Sequence, residues 1–173
     1  MNSLCETHWK AVKRILRYLS GTLYFGLIFR ASGDFSLVCY ANADWAASVD
    51  DRRSTNGYCV YLGGNLIKWC SKKQSVVSKS TSEAEYRSLA NPVAELIWVE
   101  ELLGEIGVDL HGKPVWKLFV NFLPSTEQVT DLLSKPIPPA VFPLMRDRLG
   151  VVNLDRCFTG AKKENQENDR IYT

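Results

Sequence analysis

Between residues 9 and 19, Trp9, Val12, Ile15, Leu16 and Leu19 recur at three- and four-residue intervals, with Lys10, Lys13, Arg14 and Arg17 between them. That spacing predicts an amphipathic helix with a basic outer face. Thr7 is its expected N-cap, and Gly21 its expected stop, where a left-handed residue is least costly. The period then changes. Phe35–Ala41 and Tyr58–Leu62 are rich in aromatic and β-branched residues and are bounded by Gly, Asn and Asp, the pattern of strands. Gly63-Gly-Asn65 is a hairpin signal, with Leu66–Cys70 as the returning strand. Residues 35–79 therefore read as a three-stranded antiparallel meander, and Gly26–Arg30 as an extra strand before it.

Ser80 followed by Glu83 makes a capping-box start, with Ser82 and Glu85 as a second register. Leu89, Val93, Leu96, Ile97, Leu102 and Leu103 mark the apolar face of the helix that follows. Pro92 interrupts it. A helix-interior proline lacks the amide donor and clashes with the carbonyl four residues back, so a kink is expected, or two helices with Asn91 capping the second. Beyond Gly107, residues 114–123 supply one strand. A short helix opens at Ser125, Thr126 or Glu127 and runs to Ser134. Phe142–Leu149 forms a last helix closed by Gly150, and residues 161–170 are a polar tail.

Composition narrows the classes. The 173 residues carry 21 Lys and Arg against 19 Asp and Glu, a net +2, so charge alone does not mark a nucleic-acid binder. Five basic residues nonetheless stand against Glu6 alone in residues 1–30. No apolar run approaches the roughly 18–20 residues that span a bilayer. The five cysteines are scattered and form no CxxC pair, which suits reduced, mostly buried thiols in an intracellular protein. Trp45, Tyr58 and Trp98 read as core aromatics, and Cys70 as a buried thiol. Two histidines leave the carboxylates as the main catalytic candidates. Asp44 ends a strand, Glu83 and Glu85 open a helix, and Asp131 lies in a late helix. Such oxygen clusters suit Mg2+ or Mn2+, although acids in a first helical turn are commonly caps and dipole partners.

Several strings carry a resemblance. Tyr40-Ala-Asn-Ala-Asp-Trp-Ala46, Asp51-Arg-Arg-Ser-Thr-Asn-Gly-Tyr58, Leu62-Gly-Gly-Asn-Leu-Ile-Lys-Trp69, Ser71-Lys-Lys-Gln74 and Ser82-Glu-Ala-Glu-Tyr86 occur in that order. Together they resemble the ribonuclease H domain that ends copia-type retrotransposon Pol polyproteins. Residues 8–22 resemble the end of the preceding reverse transcriptase region. Glu127–Pro136 and Arg148–Val151 resemble the domain's terminal helix and end.

The resemblance implies a mixed α/β, ribonuclease H-like fold begun by the antiparallel meander. Here that fold is incomplete at the fourth strand and following helices. It implies residues 1–30 as a reverse transcriptase remnant, 31–152 as the domain with an internal deletion near 108–121, and 153–173 as a tail. It also implies Mg2+- or Mn2+-dependent hydrolysis of RNA in an RNA–DNA hybrid by four acids. Glu85 and Asp131 match two of them. The first-strand acid is replaced by Asn42, and the third has no counterpart. Asp44 is the remaining candidate ligand, displaced along the strand by roughly 6–7 Å. An Asn supplies an oxygen but no charge, so the expectation is that the two-metal site does not assemble and that activity is absent or very weak. Arg52, Arg53, Lys72 and Lys73 are the expected phosphate contacts. The deletion is expected to expose apolar surface around Trp69, Trp98 and Trp116. The alternatives are a non-catalytic nucleic-acid-binding remnant and a non-functional fragment. No membrane contact is expected.

Overall fold

The computed structural model describes residues 5–108 and 120–155. These form two compact units, residues 28–150 and the pair of segments 5–27 and 151–155.

The larger unit is built on a three-stranded antiparallel sheet of β2 (Leu37–Asp44), β3 (Thr55–Leu62) and β4 (Asn65–Lys73), in that order. The meander expected from the period-two pattern is present, with β2 running three residues past Ala41 to Asp44. Gly63 and Gly64 both have positive φ, +53° and +80°, as the tight β3–β4 hairpin requires. A Cβ on Gly63 would lie 2.0 Å from the Asp34 carbonyl oxygen. A bulge between Val60 and Tyr61 shifts the β3–β4 register by one residue.

Helix α2 (Thr81–Glu105) packs on β2 and β3. The Ser80 hydroxyl accepts from the Glu83 amide, while the Glu83 carboxylate accepts from the Lys79 amide, one residue before the cap. Pro92 neither divides α2 nor ends it. Its ring is fully buried, in line with Ala84, Ser88, Val99 and Leu103. Packing of this face outweighs the roughly 3 kcal/mol cost of an interior proline. The buried stripe is therefore made mostly of small residues. Leu89, Val93 and Leu96 only border it, and Ile97 and Leu102 are exposed. Trp98, expected in the core, is 54% exposed and lies beneath the Lys68 ammonium, 5.3 Å from the ring centre. Lys68 also pairs with Glu95, which accepts from the Tyr58 hydroxyl at 3.2 Å. This chain joins α2 to both β3 and β4.

A four-residue helix, α3 (Asp131–Ser134), covers the other face. Turns over residues 125–130 replace the longer helix expected from Ser125, and no strand is found at 120–123. The rest of the expected strand at 114–123 lies outside the described residues. Gly57 is where α3 presses closest. A Cβ there would stand 2.9 Å from both Leu133 Cβ and the Thr130 carbonyl oxygen. Gly57→Ala should lower stability by about 1–3 kcal/mol through overpacking, read as a fall in urea midpoint at unchanged slope. Helix α4 (Phe142–Arg148) follows and ends at Gly150, φ +77°.

In the smaller unit, α1 (Glu6–Gly21) starts from Cys5 rather than Thr7. Cys5 is extended, and its amide donates to His8 Nδ1. Gly21 remains helical, and the Thr22 hydroxyl caps the Tyr18 carbonyl at 2.8 Å. The strand expected at 26–30 is the shorter β1 (Phe25–Leu27). It pairs with β5 (Val151–Asn153) instead of with the meander. Of the four described cysteines only Cys59 is buried, while Cys5 is exposed and Cys39 and Cys70 are half-buried. Burial pushes the Cys59 and Cys39 thiols up to about 12.

Candidate nuclease-like site

Strand alternation sets the geometry. Asn42 lies opposite Gly57, so both point toward α3, whereas Tyr58 points toward α2. The Asn42 side chain thereby meets Asp131 at the start of α3. Asn42 Nδ2 donates to Asp131 Oδ1 at 2.6 Å, and Asn42 Oδ1 accepts from the Ala43 amide at 2.8 Å. Each end of the amide faces a group of opposite polarity. Asp131 is only 4% exposed. Its second oxygen is held by Lys135 Nζ at 2.7 Å, one helical turn on. The buried carboxylate is thus hydrogen-bonded on one oxygen and ion-paired on the other.

Asn42 and Asp131, both named from the sequence, are in hydrogen-bond contact, and Lys135 was not among the residues named. Its signal was the i,i+4 spacing from Asp131. Glu85 lies on α2, exposed, and lines with Asn42 a groove of about 500 Å3 along the edge of β2. No hydrogen bond joins Glu85 to Asn42 or Asp131. Asp44 ends β2 opposite Thr55.

The described residues do not fit a two-metal site. No group of three or more Asp, Glu, His or Cys side chains gathers among them. Both Asp131 oxygens already face donors, and the Asn42 oxygen faces a backbone amide. A dication approaching Asp131 would meet the Lys135 ammonium, and Mg2+ needs anionic ligands to offset partial loss of its water.

The expected phosphate contacts divide into two pairs. Asp51 binds Lys73 at 3.0 Å and Arg53 at 3.5 Å. The Ser48 hydroxyl and then Lys73 hold the Asp51 carboxyl down at about 2. Arg52 and Lys72 make no ion pair among the described residues. Arg52 sits at φ +56° in the β2–β3 loop, and Lys72 is exposed on β4.

A second polar cluster was not anticipated. Gln74, Ser78, Asn56 and Ser54 are all buried. Gln74 Nε2 donates to Asn56 Oδ1 and to the Ala84 carbonyl, and Gln74 Oε1 accepts from the Ser78 hydroxyl. Half-exposed Trp45, another expected core aromatic, donates through Nε1 to the Ser78 carbonyl at 2.9 Å. The available signal was polar Asn56 in phase with inward-facing Tyr58 and Val60.

Among known proteins, the chain is 50% identical over 115 residues to the retrovirus-related Pol polyprotein from transposon RE2 of Arabidopsis thaliana. That match covers 66% of this chain and 8% of the polyprotein. The corresponding polyprotein from transposon TNT 1-94 of Nicotiana tabacum is 45% identical over 108 residues, 62% of this chain and again 8% of its own length. The chain also covers 67% of secreted RxLR effector protein 161 of Plasmopara viticola, at 47% identity over 95 residues. No family model matches the chain. No solved structure matches it significantly. No helix among the described residues is long and apolar enough to cross a membrane. The chain is thus similar, at about half of its aligned positions, to retrovirus-related Pol polyproteins from transposons, of whose full length it spans about one twelfth.

Proposed function

We propose that the chain is a degenerate ribonuclease H-like domain, preceded over residues 1–30 by a reverse transcriptase remnant, and that it has lost hybrid-directed RNA cleavage. The observation that carries this reading is the Asn42–Asp131–Lys135 arrangement. An amide and an ammonium stand where two carboxylates would have to share a dication. Glu85 and Asp131 are the surviving acid positions, Asn42 is the substituted one, and Asp44 adds no ligand to them. The test is incubation of the purified chain with a labelled RNA–DNA hybrid in Mg2+ or Mn2+. The expected result is no cleavage above background, unchanged by Glu85→Gln. Metal-dependent cleavage that disappears in Glu85→Gln would overturn it.

The exposed cations favour a second reading, a non-catalytic nucleic-acid-binding remnant. On this reading Arg52 and Lys72 are the productive phosphate contacts, since Asp51 competes for Arg53 and Lys73. Binding to hybrid should weaken as salt rises. The double variant Arg52→Ala/Lys72→Ala should reduce the slope of log K against log salt by about one per cation removed. An unchanged slope would remove these residues from the interface.

A further inference from the structure

Helix α1 of the smaller unit is apolar on one half of its surface and basic on the other. At the helical repeat, Trp9, Val12, Ile15, Leu16, Tyr18 and Leu19 share one side, with His8 as the polar exception among them. Lys10, Lys13, Arg14 and Arg17 share the opposite side. No residue of α1 is buried. Trp9, Val12, Ile15, Leu16 and Leu19 are each between 42% and 58% exposed. Exposed apolar residues joined in one continuous face mark an interaction surface, which scattered single ones do not.

Charge says what meets this face. Lys10 pairs at 2.9 Å with Glu6, the one acid of the helix. Lys13, Arg14 and Arg17 make no ion pair among the described residues. Lys13 lies over the Trp9 ring, 5.3 Å from its centre, so one rim of the apolar face carries a cation. Arg14 borders the other rim, one turn before Tyr18. A second copy on this face would bring its own rim cations against these, with one acid per helix to offset them. A nucleic acid offers phosphates but no continuous apolar layer for the other half of the helix. An anionic lipid surface offers both, with charged headgroups at the level of the cations and acyl chains beneath. Lys and Arg at the rims reach headgroups while their stems stay on apolar ground, and Trp and Tyr favour the same level. The 16-residue helix is about 24 Å long, short of the roughly 30 Å apolar core of a bilayer, so it suits lying in the plane. The expectation of no membrane contact rests on the lack of a spanning run, which an in-plane helix does not need.

We propose that α1 is an in-plane anchor that seats its Trp9–Leu19 face in an anionic lipid surface. The apolar half enters the headgroup–acyl boundary, and Lys13, Arg14 and Arg17 hold the lipid charge.

The test is co-sedimentation of the full chain with vesicles of three parts phosphatidylcholine to one part phosphatidylserine, and with vesicles of phosphatidylcholine alone. The expected result is binding to the first that weakens as salt rises, and little binding to the second. Ile15→Gln/Leu16→Gln keeps the charge and the helical preference, and should weaken binding by at least about tenfold through lost apolar burial. Lys13→Gln/Arg14→Gln/Arg17→Gln should weaken it on the order of a hundredfold, at about fivefold per cation. Since α1 contributes no buried residue, both variants leave the folded core intact. Anionic-vesicle binding that Ile15→Gln/Leu16→Gln does not change would show adsorption by charge alone and overturn the proposal. So would the absence of binding to anionic vesicles. So would binding to RNA–DNA hybrid that the same apolar variant abolishes, which would assign the face to nucleic acid, or a lipid-free dimer that it abolishes and that anionic vesicles do not dissociate.

Discussion

Asn42→Asp should destabilise the metal-free protein by about 2–4 kcal/mol at pH 7. The donor that faces Asp131 Oδ1 at 2.6 Å would become a second carboxylate oxygen inside a nearly closed site. Two carboxylates in contact cannot both ionise freely, so one retains its proton well above the unfolded value of about 3.9. The sign of the pH dependence follows. Between about pH 4 and the raised folded value, the native state binds the extra proton and the unfolded state does not. Stability therefore falls as pH rises through that window. Below about pH 4 the variant should approach the parent chain. Lys135 moderates the loss, because its ammonium remains 2.7 Å from the other Asp131 oxygen. Mg2+ should recover part of the loss in Asn42→Asp and leave the parent unchanged, since ligand binding to the native state alone stabilises it. Urea unfolding at pH 4 and 7, with and without Mg2+, reads all four quantities. Equal stability of parent and variant at pH 7 without metal would show that the Asn42–Asp131 contact does not form.

Gln74→Ala should cost a comparable amount, about 2–4 kcal/mol, for a different reason. Gln74 is 6% exposed, and its side chain makes three hydrogen bonds. Truncation leaves the Asn56 carbonyl oxygen and the Ser78 hydroxyl without partners in a buried setting. It also loosens the turn before α2, where Ser78 receives Trp45. Denaturant unfolding should show a lower midpoint at unchanged slope. A change under about 0.5 kcal/mol would mean that water replaces the glutamine and that the cluster does not order this turn.

The meander was legible because strand alternation and the two glycines of the hairpin are local signals. So were the Ser80–Glu83 start of α2 and the stop of α4 at Gly150. The misread elements were those decided at longer range. Pro92 stays within one helix because its ring fills a place against the sheet, a benefit invisible to propensity. Strand β1 goes to Val151–Asn153, more than a hundred residues away, a choice that no local pattern encodes. The larger aliphatic residues of α2 suggested the core face, whereas Ala84, Ser88 and Pro92 allow the close approach to the sheet. At the candidate site, spacing and resemblance located Asn42, Glu85 and Asp131 along the chain. They did not reveal that Lys135 neutralises Asp131 or that Asp51 holds two of the four candidate phosphate-binding cations.

The most direct test is a titration of the isotopically labelled full chain with millimolar Mg2+, followed through the Asn42 side-chain amide and the Glu85 and Asp131 carboxyl resonances. The Asn42–Asp131–Lys135 arrangement predicts no saturable shift at any of the three, with the Asn42 amide protons remaining hydrogen-bonded throughout. A saturable shift shared by Asn42, Glu85 and Asp131 would show a working cation site and contradict the loss of function argued from this geometry.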